Sequence, residues 1–223
     1  MPLQAIVLDF DGVIADTEPL HFRVFREVLL DRLEVDLTAE DYYARYLGYD
    51  DAGAFEAMAA GRTVELGQAD LAALVAEKAR RFDASLADAD VLFPGAADAV
   101  RRLAATVPLA VASGALRHEI ELVLARAGLS SCVQAIVAAG ETAASKPAPD
   151  PYTRAVRLLG VPPANAVAVE DSRWGLESAR AAGLRCVVVT TSYPASTFPD
   201  ADLVLPALAA VRADALVGLF ATA

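Results

Sequence analysis

A chain of 223 residues can hold one large domain or two modest ones, and either can bury a core. Its hydrophobic fraction of 56% and mean hydropathy of +0.39 owe much to alanine, and no window reaches the roughly 18 uninterrupted apolar residues of a bilayer-spanning helix, so a soluble protein is expected. A net charge of −11 repels phosphate backbones, which argues against nucleic acid and membrane as partners.

The chain opens on an apolar run from Leu3 to Leu8 that lacks a basic n-region and leads straight into Asp9 and Asp11. That pattern predicts a buried strand over residues 5–8 and no cleaved secretion signal. Residues 16–90 then read as an inserted all-helical domain, with helices over 19–30, 39–46, 52–60 and 69–84. Thr38 followed by Asp41 resembles a capping box with an Asp variant, and Asp50 or Asp51 is a candidate cap for the next helix. Phe93-Pro94-Gly95 marks a sharp return.

From there short apolar runs, 109–112, 135–137, 166–169 and 186–189, alternate with helical patterns over 96–105, 117–127, 151–159 and 175–182. Gly128, Gly160 and Gly183 follow three of these helices, where a left-handed C-terminal cap favours glycine. Residues 202–205 and 207–219 are expected to add an edge strand and a last helix. The series predicts an α/β fold: a doubly wound parallel sheet made of residues 1–15 and 91–223, Rossmann-like in its core. Cys132 and Cys186 form no CxxC pair, and Cys186 lies in an apolar run, so a reduced core thiol and a cytoplasmic location are expected.

In open parallel sheets the carboxyl ends of the strands face the ligand crevice. Asp9-Phe10-Asp11-Gly12 ends the first strand, so both carboxylates can reach that crevice, although an Asp-rich turn is a common feature. Ser113-Gly114 follows the second strand, as a helix cap or as a phosphate cradle. Lys146-Pro147 follows the third after a loop, and Glu170-Asp171-Ser172 ends the fourth, where Asp171 or Ser172 would also serve as a helix cap. Each alone has a bland explanation; their order at four successive strand ends does not.

This order and spacing resemble the four motifs of the haloacid dehalogenase-like hydrolase superfamily, across essentially the whole chain. Residues 9–21 are especially similar to its β-phosphoglucomutase and phosphatase-like branch, and the helical insertion is similar to that branch's cap domain. The resemblance implies a phosphohydrolase acting on a small phosphorylated metabolite. In it Asp9 is the nucleophile that becomes an aspartyl-phosphate, and Asp11 is the general acid and then base. Lys146, Ser113 and Gly114 bind phosphate. Magnesium is held by the Asp9 side chain, the Asp11 carbonyl and Asp171, with Glu170 assisting directly or through water. A carboxylate at Asp11 also separates this chain from dehalogenase members, since halide departure needs no proton.

For the insertion, Tyr42, Tyr46 and Tyr49 share a helical face if the helix extends that far, as buried packing or as an aromatic wall over the substrate. Residues 48–51 match the position of the family's cap specificity loop, and His21 matches a β-phosphoglucomutase histidine that links cap closure to the active site. Arg117 is either a surface charge or a substrate contact. The similarity over residues 16–21 makes a phosphosugar mutase the alternative function, but Asp51 stands where a mutase carries an arginine for a second phosphate, which weakens that reading unless Arg45 or Arg62 substitutes. A non-catalytic binding domain is the third reading. A monomer or weak homodimer is expected.

Overall fold

The computed structural model describes residues 3–46, 49, 51–62 and 66–220. These divide into two compact units, Met1–Asp16 with Val91–Ala223, and Thr17–Asp90. Among the described residues no helix is long and apolar enough to cross a membrane.

The sheet unit begins with β1 (Ala5–Leu8), all four residues buried. The helical unit follows as α1 (Glu18–Leu33), α2 (Ala39–Arg45), α3 (Asp51–Ala60) and α4 (Gln68–Leu86). The chain then returns through α5 (Ala96–Ala104), β2 (Leu109–Ala112), α6 (Arg117–Arg126), β3 (Ala135–Val137), α7 (Asp150–Leu159), β4 (Ala166–Glu170), α8 (Arg173–Ala181), β5 (Arg185–Val189), β6 (Leu203–Leu205) and α9 (Ala213–Gly218). Gly128, Gly160 and Gly183 have positive φ after α6, α7 and α8, as the pattern predicted.

The six strands run in the order β3-β2-β1-β4-β5-β6, and every neighbouring pair is parallel. Strand order reverses between β1 and β4, where a doubly wound sheet opens its crevice. Leu8 is in register with Val169, and the Asp9 N–H donates to the Val169 carbonyl at 2.9 Å. The acidic residues that follow these two strands are therefore neighbours before any side chain is considered.

One sheet face is rich in alanine: Ala5, Ala110, Ala112, Ala166 and Ala168 join Val7, Val137, Cys186 and Val188 in a buried cluster with Tyr152, Ala155 and Val156 of α7 and Leu176 and Ala179 of α8. Small strand side chains let both helices lie close to the sheet, and the volume they leave is filled by Tyr152, which is fully buried. Cys186 is an unpaired, buried thiol, as expected.

Two sequence expectations are corrected. Residues 207–219 do not form one helix: a single 3-10 turn (Leu208–Ala210) is followed by extended Val211 and Arg212 before α9. Arg102 Nη2 donates to the carbonyls of Ala209 at 3.4 Å and Val211 at 3.0 Å, groups that a continuous helix would use internally. The second correction concerns α2, which ends at Arg45; Tyr46 leaves the helical region with φ −120° and ψ −7°. Tyr42 and Tyr46 are buried while Tyr49 is half-exposed, so the three do not form one aromatic face. At the other end of α2, Thr38 accepts a hydrogen bond from the Asp41 N–H at 3.2 Å, the cap foreseen from the sequence.

Candidate active site

The chain bends sharply after β1. Gly12 N–H donates to the Ala15 carbonyl at 2.8 Å, and the N–H groups of Ile14 and Ala15 converge on the Phe10 carbonyl. Asp9 lies on the strand side of this turn, buried, with Oδ1 accepting from the Phe10 N–H at 2.7 Å. The Lys146 ammonium reaches the same oxygen at 3.0 Å.

Glu170, the last residue of β4, has no solvent exposure. Its Oε1 accepts from Lys146 Nζ at 2.5 Å and from the Tyr152 hydroxyl at 2.6 Å. Its Oε2 accepts from the Asp171 N–H at 3.1 Å and from Ser172 Oγ at 3.2 Å. Such saturation is what a buried carboxylate requires. Ser172 also caps α8, accepting from the Gly175 N–H at 3.1 Å. Gly175 is there for space: a Cβ at that position would lie 1.8 Å from the Glu170 carboxyl carbon. Gly12 serves Asp171 in the same way. Besides its φ of +75°, it leaves room that a Cβ would take, 1.9 Å from Asp171 Oδ2. Ser192, in the loop after β5, donates its hydroxyl to that Oδ2.

Three carboxylates and one ammonium therefore share a nearly dry volume. Burial raises the Asp9 pKa to about 7, with the charges of Glu170 and Asp11 adding and Lys146 opposing. Burial likewise raises Asp171 to about 8, aided by Asp9 and Glu170 and resisted by the Ser192 hydrogen bond. Burial alone would lower Lys146, but Asp9 and Glu170 together carry it above its usual value. Positive charge is in short supply. One ligand oxygen each from Asp9, Glu170 and Asp171 lie within 4.8 Å of one another. This all-oxygen set, with glycine at both points of closest approach, fits a divalent cation.

The other residues singled out from the sequence are distributed as follows. Ser113 is buried at the end of β2, its N–H bonded to the Val137 carbonyl at 2.9 Å. It does not cap α6: Leu116 takes that place, its N–H donating to Glu119 Oε2 at 2.9 Å, while Ser113 Oγ accepts from the Ala115 N–H at 3.1 Å. A Cβ at Gly114 would meet nothing within 4 Å, so space does not require glycine there. Arg117 is held by Glu141 at 2.6 Å, by Glu121 at 3.1 Å and by the Ile136 carbonyl at 2.9 Å, a surface network at the end of β3. Gly48 and Asp50 of the expected specificity loop lie outside the described residues.

In the helical unit His21 stacks on Phe82 with ring centroids 4.1 Å apart. Its Nδ1 accepts from Lys78 Nζ at 2.8 Å. Burial and the Lys78 charge lower the His21 pKa to about 3, so the imidazole is neutral and its proton sits on Nε2. Lys78 also pairs with Asp51 at 2.7 Å and lies over the rings of Phe25 and Phe82. Arg45 and Arg62 pair with Asp41 at 3.7 and 3.8 Å.

Sequence reasoning missed four of these groups. Tyr152 lies on the buried face of α7, six residues after Lys146. Thr191 and Ser192 follow β5, a strand end marked by hydroxyls and by no charged residue. Lys78 occupies the i, i+4 stripe Leu74, Lys78, Phe82, Leu86, a buried series with one charged member.

The family model described as haloacid dehalogenase-like hydrolase matches residues 3–183. The chain belongs to this family. Among its members, Protein CbbY of Rhodobacter capsulatus is 36% identical over 227 residues, covering 97% of this chain and 98% of that protein. Fructose-1-phosphate phosphatase YqaB of Escherichia coli is 34% identical over 82% of this chain and 95% of its own length. The crystal structure of CbbY from Rhodobacter sphaeroides in complex with phosphate superposes with a TM-score of 0.79 at 33% identity, covering 93% of this chain and 96% of that one. A variant of that CbbY has been crystallised with xylulose-(1,5)bisphosphate. Haloacid dehalogenase-like phosphatases use a divalent metal, and the Asp9–Glu170–Asp171 cluster is suited to one.

Proposed function

We propose that this chain is a magnesium-dependent phosphohydrolase that removes phosphate from a small phosphorylated sugar through an aspartyl-phosphate on Asp9. The observation that carries this reading is the Asp9–Lys146–Glu170–Asp171 cluster at the point where strand order reverses. Similarity to a fructose-1-phosphate phosphatase and to a protein crystallised with a sugar bisphosphate supports the substrate class.

The Asp9 side chain, the Asp11 backbone carbonyl and Asp171 would hold the cation, with Glu170 assisting. Bound there, Mg2+ would draw substrate phosphate toward the carboxylates and offset their charge. Asp9 attacks phosphorus in line as the bond to the sugar oxygen breaks, and Asp11 gives that oxygen a proton. Asp11 then takes a proton from the water that attacks the aspartyl-phosphate, releasing inorganic phosphate and restoring Asp9. Lys146 and Ser113, with the Gly114 N–H, balance the charge on the transferring oxygens. Lys146 also opposes the rise that burial imposes on the Asp9 pKa.

A phosphosugar mutase would need a cation in the helical unit for a second phosphate. There Asp51, Lys78, Arg45 and Arg62 are already paired with one another or with neighbouring acids, which favours hydrolysis. The unpaired cysteines suit a reducing cytoplasm, and the net charge of −11 suits a small-molecule partner rather than nucleic acid or membrane. A monomer or weak homodimer is the proposed assembly.

The test is a panel of fructose 1-phosphate, xylulose 1,5-bisphosphate and glucose 1-phosphate with Mg2+, following inorganic phosphate and isomer formation together. Phosphate release that disappears in Asp9→Asn is expected. Release by no member of the panel, or a rate unchanged in Asp9→Asn, would falsify the assignment; isomer formed faster than phosphate would make the enzyme a mutase.

A further inference from the structure

The loop after β5 touches the site at two points. Thr191 Oγ1 donates to the Gly12 carbonyl, and Ser192 Oγ donates to Asp171 Oδ2. The residues they reach are 179 and 21 positions away in sequence, so the loop joins the end of β1 to the end of β4. Gly12 closes the arrangement. Its missing Cβ would lie 1.9 Å from Asp171 Oδ2 and 2.9 Å from Ser192 Oγ, so this oxygen is seated against bare backbone on one side and a hydroxyl donor on the other.

We infer that Thr191 and Ser192 are positioning residues of the cation site. A carboxylate rotates about its last bond, and either oxygen could face a cation. With Oδ2 held by Ser192, the orientation is fixed and Oδ1 is the oxygen left for metal. Thr191 fixes the carbonyl of Gly12, the residue against which Oδ2 rests and the one that follows Asp11, whose backbone carbonyl is a proposed ligand. Partners of this kind, which never touch the metal, commonly account for about 10–100-fold in its affinity. The alternative is that the two hydroxyls merely solvate buried polar groups, which would affect stability and leave affinity alone.

This inference rests on the proposal that Asp171 is a cation ligand, and calorimetric titration of the chelator-treated protein with Mg2+ separates the two. The native protein is expected to bind. Ser192→Ala is expected to bind about 10–100-fold more weakly, with an unfolding midpoint in chelator close to the native one. Ser192→Thr, which keeps the hydroxyl, should recover most of the affinity, and the Mg2+ concentration needed for half-maximal turnover should rise in Ser192→Ala. Thr191→Val should give a smaller loss that Thr191→Ser restores. Should Ser192→Ala not fold, Ser192→Cys keeps the volume with a much weaker donor and is expected to show the same loss. Native affinity in folded Ser192→Ala or Ser192→Cys overturns the positioning role and leaves the metal site standing. No Mg2+ binding by the native protein removes both.

Discussion

The two lysines of the chain lie one in each unit, Lys78 buried and Lys146 half-buried, and their surroundings differ in sign. Lys146 faces Asp9 and Glu170, with Asp171 and Asp11 also in the electrostatic neighbourhood of Asp9. Lys78 faces one carboxylate, Asp51, and otherwise a neutral imidazole and two aromatic rings. The Lys78 cluster balances its own charge and resembles an interior ion pair that orders a helical core. The Lys146 cluster is short of positive charge. Only the second has an unmet electrostatic demand, and a divalent cation is what would meet it.

The largest expected contrast comes from removing each ammonium. Lys146→Met strands two buried carboxylates; it should abolish turnover and cost about 3 kcal/mol or more in urea unfolding at neutral pH. A loss that small surface substitutions could match would mean that the acids are already protonated and the demand is illusory.

The second contrast is in pH dependence. Asp9 and Asp171 have folded pKa values of about 7 and 8, above their unfolded values. Each contributes stability that is fully present below the unfolded carboxyl range of roughly 4 and is lost as pH rises through the folded value. Thermal melts of metal-free protein should therefore decline from about pH 5 to about pH 8.5 more steeply than melts with Mg2+, since a bound cation favours the ionised carboxylates. Parallel curves would show that no cation binds this cluster.

The smallest effect is expected at the balanced site. Lys78→Met replaces a charge with an apolar chain among rings, and Asp51 is partly exposed to water, so the cost should be about 1 kcal/mol. The sharper readout is His21. Loss of the Lys78 charge should raise its pKa, measured by NMR titration, while burial still holds it below the usual histidine value. An unmoved His21 would mean that burial alone sets its charge state.

The fold was legible because each core strand is an unbroken apolar run and each strand end carries its own polar signal. Asp9, Lys146, Glu170 and Asp171 were found in that way, and the sheet order makes them neighbours. What escaped detection lacked a one-dimensional signature. Tyr152 reads as one more core aromatic until its hydroxyl is seen on Glu170. Lys78 reads as one charge among many on a charged helix, although its i, i+4 neighbours are all buried apolar residues. The break before α9 was hard to see because residues 207–219 are mostly alanine and leucine, good helix formers, and the carbonyls at the break are taken by an arginine more than a hundred residues earlier. Tyr46 and Tyr49 had the spacing of a shared face, but spacing counts only as far as the helix runs.

Gly175 has a consequence for how this chain tolerates change. It carries no functional group, yet Glu170 rests in the niche that its absent methyl leaves open. Alanine there would suit α8 by intrinsic preference, by about 1 kcal/mol. It would also evict the carboxylate and scatter the four donors gathered around it. Among the substitutions open to α8, the mildest on paper is thus the one its architecture is least able to absorb.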